Sequence, residues 1–151
     1  MTPEMFGSRL HAVPPRATES LLAVLQDFVG LGGPTSTLRF YGPTTTQYQS
    51  FVDGEPLPAE DEVLGVTDTH AFRLALGDGA ADLTVRAASV LQDDVMDDLG
   101  APWPEVRTSG ASPVVLEPVV GETGVGQWKG GSHTCLIGEL RQVFGSMLVR
   151  S

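Results

Sequence analysis

The densest chemistry in the chain is the run QDDVMDDLG, residues 92–100, where Asp93, Asp94, Asp97 and Asp98 stand with no lysine or arginine among them. On a helix, Asp93 and Asp97 are one turn apart, as are Asp94 and Asp98, and each like-charge pair costs the helix about 0.2 to 0.5 kcal/mol. Asp97 and Asp98 also oppose the negative end of the helix dipole. A cationic counterpart would offset that cost. Hard carboxylate oxygens suit calcium or magnesium, yet the run lacks the loop spacing and glycine of a calcium-binding hand. The favoured counterpart is therefore the basic surface of another protein, with Glu60, Asp61 and Glu62 extending the same acidic surface.

A second candidate is VVGETGVGQWKGG, residues 119–131, whose GETGVG resembles the start of a phosphate-binding loop. Such a loop needs a lysine directly after its last glycine, then a hydroxyl for magnesium, both opening a helix. Those positions hold Gln127 and Trp128, and Gly130 with Gly131 would break the helix. The segment is expected to be a glycine-rich turn between two strands. His133 and Cys135, two apart, share one face of a strand, and a Cys-His nucleophile pair oriented by Glu139 or an aspartate is the enzymatic reading. A lone cysteine is more often a small buried side chain. His70 is expected on the apolar face of its strand. The residues select no catalytic group and imply no cofactor and no metal.

Charge placement narrows the partners. Of the net charge of −10, residues 53–105 hold thirteen acidic and two basic side chains, against three and three before them and three and four after. Such a surface repels nucleic acid phosphates and anionic lipid, so a protein partner is expected, with no nucleic acid and no membrane, and with a homo-oligomer as a further option. No stretch approaches the roughly 20 apolar residues that span a bilayer, and the N-terminus lacks a signal peptide's apolar run, so a cytoplasmic protein is expected. One cysteine excludes an internal disulfide and any zinc site built on several thiolates.

The elements that must position these groups can be read from periodicity. At 151 residues and 41% apolar content the chain suits a single domain over 1–151, with residues 1–16 as an extended N-terminal arm. Leu21, Leu22, Leu25, Phe28 and Val29 predict a helix near 18–29, capped by Thr18 and ended by Gly30, Gly32 and Gly33. TSTLRFY, residues 35–41, and QYQSFVDG, residues 47–54, read as paired strands. His70, Phe72, Leu74 and Leu76, then an Asp-Gly turn at 78–79, then Leu83, Val85 and Ala87 predict a hairpin. Ser89 and Gln92 have capping-box spacing before a helix at 90–99 that Gly100 and Pro102 stop. Strands are expected at 113–120 and 132–139, and a closing helix near 139–148. The order predicts an α+β domain with a mainly antiparallel sheet and about three helices.

The runs LGAPWPEV, LEPVV, GQWKGG and LIGEL resemble the C-terminal half of a group of small uncharacterised bacterial proteins with a Trp-Pro-Glu…Trp…Ile-Gly-Glu-Leu pattern. Where that group often has cysteines this chain has Val106 and Gly130, so a thiolate or zinc role does not carry over. The resemblance implies no activity, but it casts Trp103 and Trp128 as paired packing anchors. Three functions follow as expectations. The first is a non-enzymatic acidic protein-binding domain, of the inhibitor, immunity or chaperone kind, using residues 53–105. The second is a structural subunit of a phage particle or other assembly, and the third is a small enzyme with a Cys/His site.

Overall fold

The computed structural model describes residues 3–43, 51–52, 55–56, 58–77 and 79–149. It is an α+β fold. In chain order the strands are β1 (Leu10–His11), β2 (Arg39–Tyr41), β3 (Phe51–Val52), β4 (Glu55–Pro56), β5 (Glu62–Val66), β6 (Ala71–Ala75), β7 (Glu105–Val106), β8 (Val114–Val115), β9 (Glu117–Val120), β10 (Gly126–Gly130), β11 (His133–Leu136) and β12 (Leu148–Val149). The helices are α1 (Pro15–Phe28), α2 (Ala80–Leu99) and α3 (Leu140–Phe144).

Helix α1 begins three residues before the expected cap, because Pro15 brings a φ already suited to the first turn and has no N–H to leave unpaired. The Thr18 hydroxyl instead donates back to the Pro14 carbonyl at 3.3 Å. Ala17, Leu21, Val24, Leu25 and Phe28 form the buried stripe. Helix α2 is twice the expected length. Residues 80–89, expected to complete a hairpin, are helical, and Leu83, Ala87, Leu91 and Val95 recur every four residues on the buried side. Gly79, expected in a hairpin turn, is the N-cap with φ 96°, and Ser89 and Gln92 lie mid-helix. The two helices run side by side in one direction. Near their starts the Ser20 hydroxyl donates to the Ala80 carbonyl at 3.0 Å, and at their far ends Asp98 abuts Gly33.

Four strands form the N-terminal sheet in the order β1-β2-β5-β6, with β1–β2 parallel and the rest antiparallel. The partner of β6 is thus β5, a strand sequence periodicity did not single out, and β2 also pairs with β5. The partner expected at 47–54 falls largely outside the described residues, while Phe51–Val52 pairs with Glu55–Pro56. Residues 3–11 are not an extended arm. Pro3–Arg9 is a 3-10 turn, Phe6 is buried, and the Arg9 guanidinium donates to the Leu38 carbonyl at 3.0 Å.

The C-terminal half holds two antiparallel three-stranded sheets, β11-β10-β9 and β12-β7-β8, joined through Leu116, whose N–H donates to the Pro104 carbonyl at 2.9 Å. The closing helix is short because Gly145, at φ 43°, turns the chain so that Leu148–Val149 can pair with β7.

Trp103 and Trp128 meet edge to face at the centre, ring centroids 5.8 Å apart, with Phe28 5.1 Å and 6.0 Å from them. The buried Gln92 amide donates to the carbonyls of Trp103 (3.0 Å) and Leu116 (2.8 Å), tying α2 to both C-terminal sheets. Gly130 permits a close crossing: a Cβ there would lie 2.5 Å from the Val115 carbonyl oxygen and 3.0 Å from Leu116 Cδ2. Gly130→Ala is accordingly expected to lower unfolding stability by about 1 to 3 kcal/mol, read from urea midpoints. An unchanged midpoint would mean that the crossing relaxes freely.

Candidate functional site

The second half of α2 sorts its aspartates by side. Leu91 and Val95 face the core, and Asp93, Asp97 and Asp98 are exposed. Asp94 is not part of that open surface: its side chain is 13% exposed, and its Oδ1 lies 3.3 Å from Nδ1 of His70. Burial raises the Asp94 carboxyl above its usual range, His70 opposing the shift. His70 itself precedes β6 and is exposed, because the tight turn joining β5 to β6 places it over α2 and not on the sheet's apolar face.

A fifth carboxylate joins this end of the molecule. Asp68, in the same turn, accepts from the Thr37 hydroxyl at 2.7 Å, and its N–H donates to the Pro34 carbonyl at 3.3 Å. The segment Gly33–Thr37 therefore has Asp68 against one part and Asp98 against another. Asp97 and Asp98 stand in the last turn of α2 with Asp93 one turn before Asp97, Asp68 lies against the segment that follows α1, and neither helix has a basic residue in its last turn. Two negative dipole ends add to the carboxylates. Arg39 reaches this end from β2, where its guanidinium donates to the Tyr41 hydroxyl and the Thr37 carbonyl, both at 2.9 Å. Asp68 escaped sequence reading because proximity to α2 follows from the β5–β6 pairing, which local spacing does not reveal.

Glu60, Asp61 and Glu62 do not belong to that surface. Glu62 pairs with Ala75, at the opposite end of the β5–β6 hairpin from the 67–70 turn, roughly 13 Å away by strand rise. Glu62 accepts from the Ala59 N–H at 2.9 Å and lies 3.9 Å from the Arg73 guanidinium. At that end too, Asp82 pairs with Arg86 at 2.8 Å. Among the described residues, Glu62 and Asp82 thus stand at the opposite end of the β5–β6 hairpin from Asp68, and there Arg73 and Arg86 partly balance them.

No protein family, curated protein or solved structure matches this chain.

The remaining candidates are structural in character. Residues 121–125 join the antiparallel strands β9 and β10, and the turn uses its own amides: Gly121 N–H donates to the Val125 carbonyl (2.8 Å) and Gly124 N–H to the Gly121 carbonyl (2.9 Å). GETGVG is a β-turn sequence here, with no helix after it to receive a phosphate. Cys135 is buried opposite Trp128, and burial, with Asp27 and Glu139 adding to it, pushes its thiol up to about 12. That holds it as a neutral thiol at physiological pH, the opposite of what a nucleophile needs. His133 turns its ring edge-on to Phe144, centroids 5.8 Å apart. Among the described residues, no three of His, Cys, Asp or Glu are placed to hold one metal ion.

Asp27 is the group that sequence reading passed over. Only 1% exposed, it accepts from the Trp128 indole N–H (2.8 Å), the Gly138 N–H (2.6 Å) and the Leu140 N–H (3.2 Å). It thereby ties α1 to β10 and supplies the start of α3 with an acceptor. Burial pushes its carboxyl up to about 6 against the pull of those donors and of Arg141. The helical spacing of Ala17, Ser20, Val24 and Asp27, all buried, was the available signal.

Proposed function

We propose that this protein is a non-enzymatic binding domain whose partner is another protein with a basic surface, engaged at the end where α1 and α2 terminate. The observation that supports this reading is that Asp97 and Asp98 in the last turn of α2, Asp93 one turn before Asp97 and Asp68 beside the segment after α1 accompany two helix C-termini that carry no basic residue in their last turns. A fold indifferent to this end would gain from lysines there, since a cation at a helix C-terminus contributes about 0.3 to 1 kcal/mol. The same field disfavours nucleic acid and anionic lipid, and among the described residues no helix is long and apolar enough to cross a membrane.

The test separates binding from folding. Asp93→Lys combined with Asp97→Lys is expected to raise helix stability by about 0.5 to 1.5 kcal/mol while abolishing capture of basic partners from cell extract. Wild-type capture should weaken steeply as salt rises. Partners retained unchanged by the variant would end this reading.

A second reading, self-assembly, rests on a separate feature. An open groove of about 420 Å³ lies between the starts of α1 and α2 and the 121–126 turn, and exposed Val125 and Leu136 border it. Under that reading Leu136→Asp would lower the mass measured by light scattering at high protein concentration; a wild-type monomer at all concentrations would dismiss it.

A further inference from the structure

The last turn of α1 and the start of α3 border a polar opening of about 170 Å³, walled by Gln26, Asp27, Gly138, Arg141 and Gln142. Two opposite charges stand in that wall. Asp27 uses its oxygens unequally: Oδ2 accepts from the Trp128 indole (2.8 Å) and the Gly138 N–H (2.6 Å), whereas Oδ1 accepts only from the Leu140 N–H, at a longer 3.2 Å. A carboxylate oxygen has two lone pairs, so Oδ1 keeps one open. The Arg141 guanidinium lies across Gly30, where any Cβ would collide with it. Among the described residues no acceptor is hydrogen-bonded to that guanidinium, which acts on Asp27 only through the intervening space. At about 30 Å³ per water in the liquid, the opening has the volume of roughly five or six waters and suits a molecule of about that many non-hydrogen atoms.

We propose that this pocket binds a small free α-amino acid, whose ammonium group donates to Asp27 Oδ1 and whose carboxylate accepts from Arg141. A lone cation would be opposed by Arg141 and a lone anion by Asp27, while a zwitterion satisfies both with charge-assisted hydrogen bonds. The Gln26 and Gln142 amides, each offering donors and an acceptor, complete a wall with no apolar side chain, so the ligand's own side chain is absent or short and polar, as in glycine or serine. The titratable and charged groups that face Asp27 are Arg141 of α3 and the Cys135 thiol of β11, which stays neutral. Burial keeps a proton on Asp27 up to about pH 6, so its carboxylate is available to an ammonium group only above that. The pocket shares no residue with the acidic surface and does not depend on the reading proposed for it.

Glycine and serine provide the probes, with acetate, methylammonium and leucine as controls, each titrated into the isotope-labelled full chain while amide and indole shifts are followed by NMR. Glycine and serine are expected to shift the amides of Gly138, Leu140 and Gln142 and the Trp128 indole, and to bind about tenfold more tightly than acetate or methylammonium, which carry one charge each. Leucine should bind no better than those controls, because its side chain overfills the opening. Affinity for glycine should fall about tenfold between about pH 7.5 and 5, as Asp27 takes up its proton. Arg141→Gln, with a circular dichroism spectrum matching wild type, should abolish the preference for the zwitterions. Equal affinities for glycine, acetate and methylammonium, or a glycine affinity unchanged in Arg141→Gln, would overturn the site. Acetate binding as tightly as glycine, and lost in Arg141→Gln, would mark a simple anion site and overturn the amino-acid assignment. Absence of shifts at Gly138 and Leu140 with every probe would overturn it as well.

Discussion

Asp27→Ala is expected to cost about 3 to 5 kcal/mol of unfolding free energy, enough to unfold a marginal domain at physiological temperature. The change leaves three donors, the Trp128 indole and the amides of Gly138 and Leu140, facing a void where a carboxylate had been. Each buried unpaired donor costs about 1 to 3 kcal/mol. Asp27→Asn should be milder, about 1 to 3 kcal/mol, because the amide oxygen can still accept from Trp128 and Gly138 and only the Leu140 N–H, now opposed by the NH2 group, loses its acceptor. The pH dependence has a definite sign. The folded carboxyl titrates near 6 instead of 3.8, so the folded state holds its proton more tightly than the unfolded chain. The resulting stability is full below the unfolded value and is lost as pH rises through about 6, on the order of 3 kcal/mol in all. Urea midpoints of the wild-type chain should therefore fall between about pH 4 and 7. Relief of the overall negative charge acts in the same direction, so Asp27→Asn serves as the control and should show a distinctly shallower slope. Parallel slopes for the two chains would mean that Asp27 does not titrate in this window.

What the sequence made legible follows from how local each determinant is. The buried face of α1 and the turn nature of GETGVG depend on residues within a few positions of each other, and both were readable. The segment after Gly79 was misread because Leu83, Val85 and Ala87 fit a two-residue period as well as Leu83, Ala87, Leu91 and Val95 fit a helical one. Length and the run of alanines favour the helix, and packing of that face against β9, β10 and α1 decides it. At the acidic end, the three exposed aspartates of α2 were visible in sequence. The division of Glu60–Glu62 from them, the arrival of Asp68 and the withdrawal of Asp94 toward His70 all depend on the β5–β6 pairing. No window of neighbouring residues encodes that pairing.

Trp103→Ala should be as severe as loss of Asp27, at about 3 to 5 kcal/mol, because the indole is 1% exposed and its removal leaves a cavity that the surrounding sheets and helices cannot collapse to fill. Its ring packs against both Phe28 of α1 and Trp128 of β10, which also touch each other, and its backbone carbonyl is held by Gln92 of α2, so the void opens where several elements meet. Trp103→Phe would keep part of the contact and cost roughly half as much. A double-mutant cycle with Trp128→Phe distinguishes the ring contact from simple volume. The edge-to-face pair should give a coupling of about 0.5 to 1.5 kcal/mol. Trp128→Phe also deletes the indole donor to Asp27, so its own cost should exceed that of Trp103→Phe and should shrink in the Asp27→Asn background. Additive costs at Trp103 and Trp128 would show that the two rings merely occupy one core without stabilising each other, and the C-terminal sheets would then owe their placement to Asp27 and Gln92 instead.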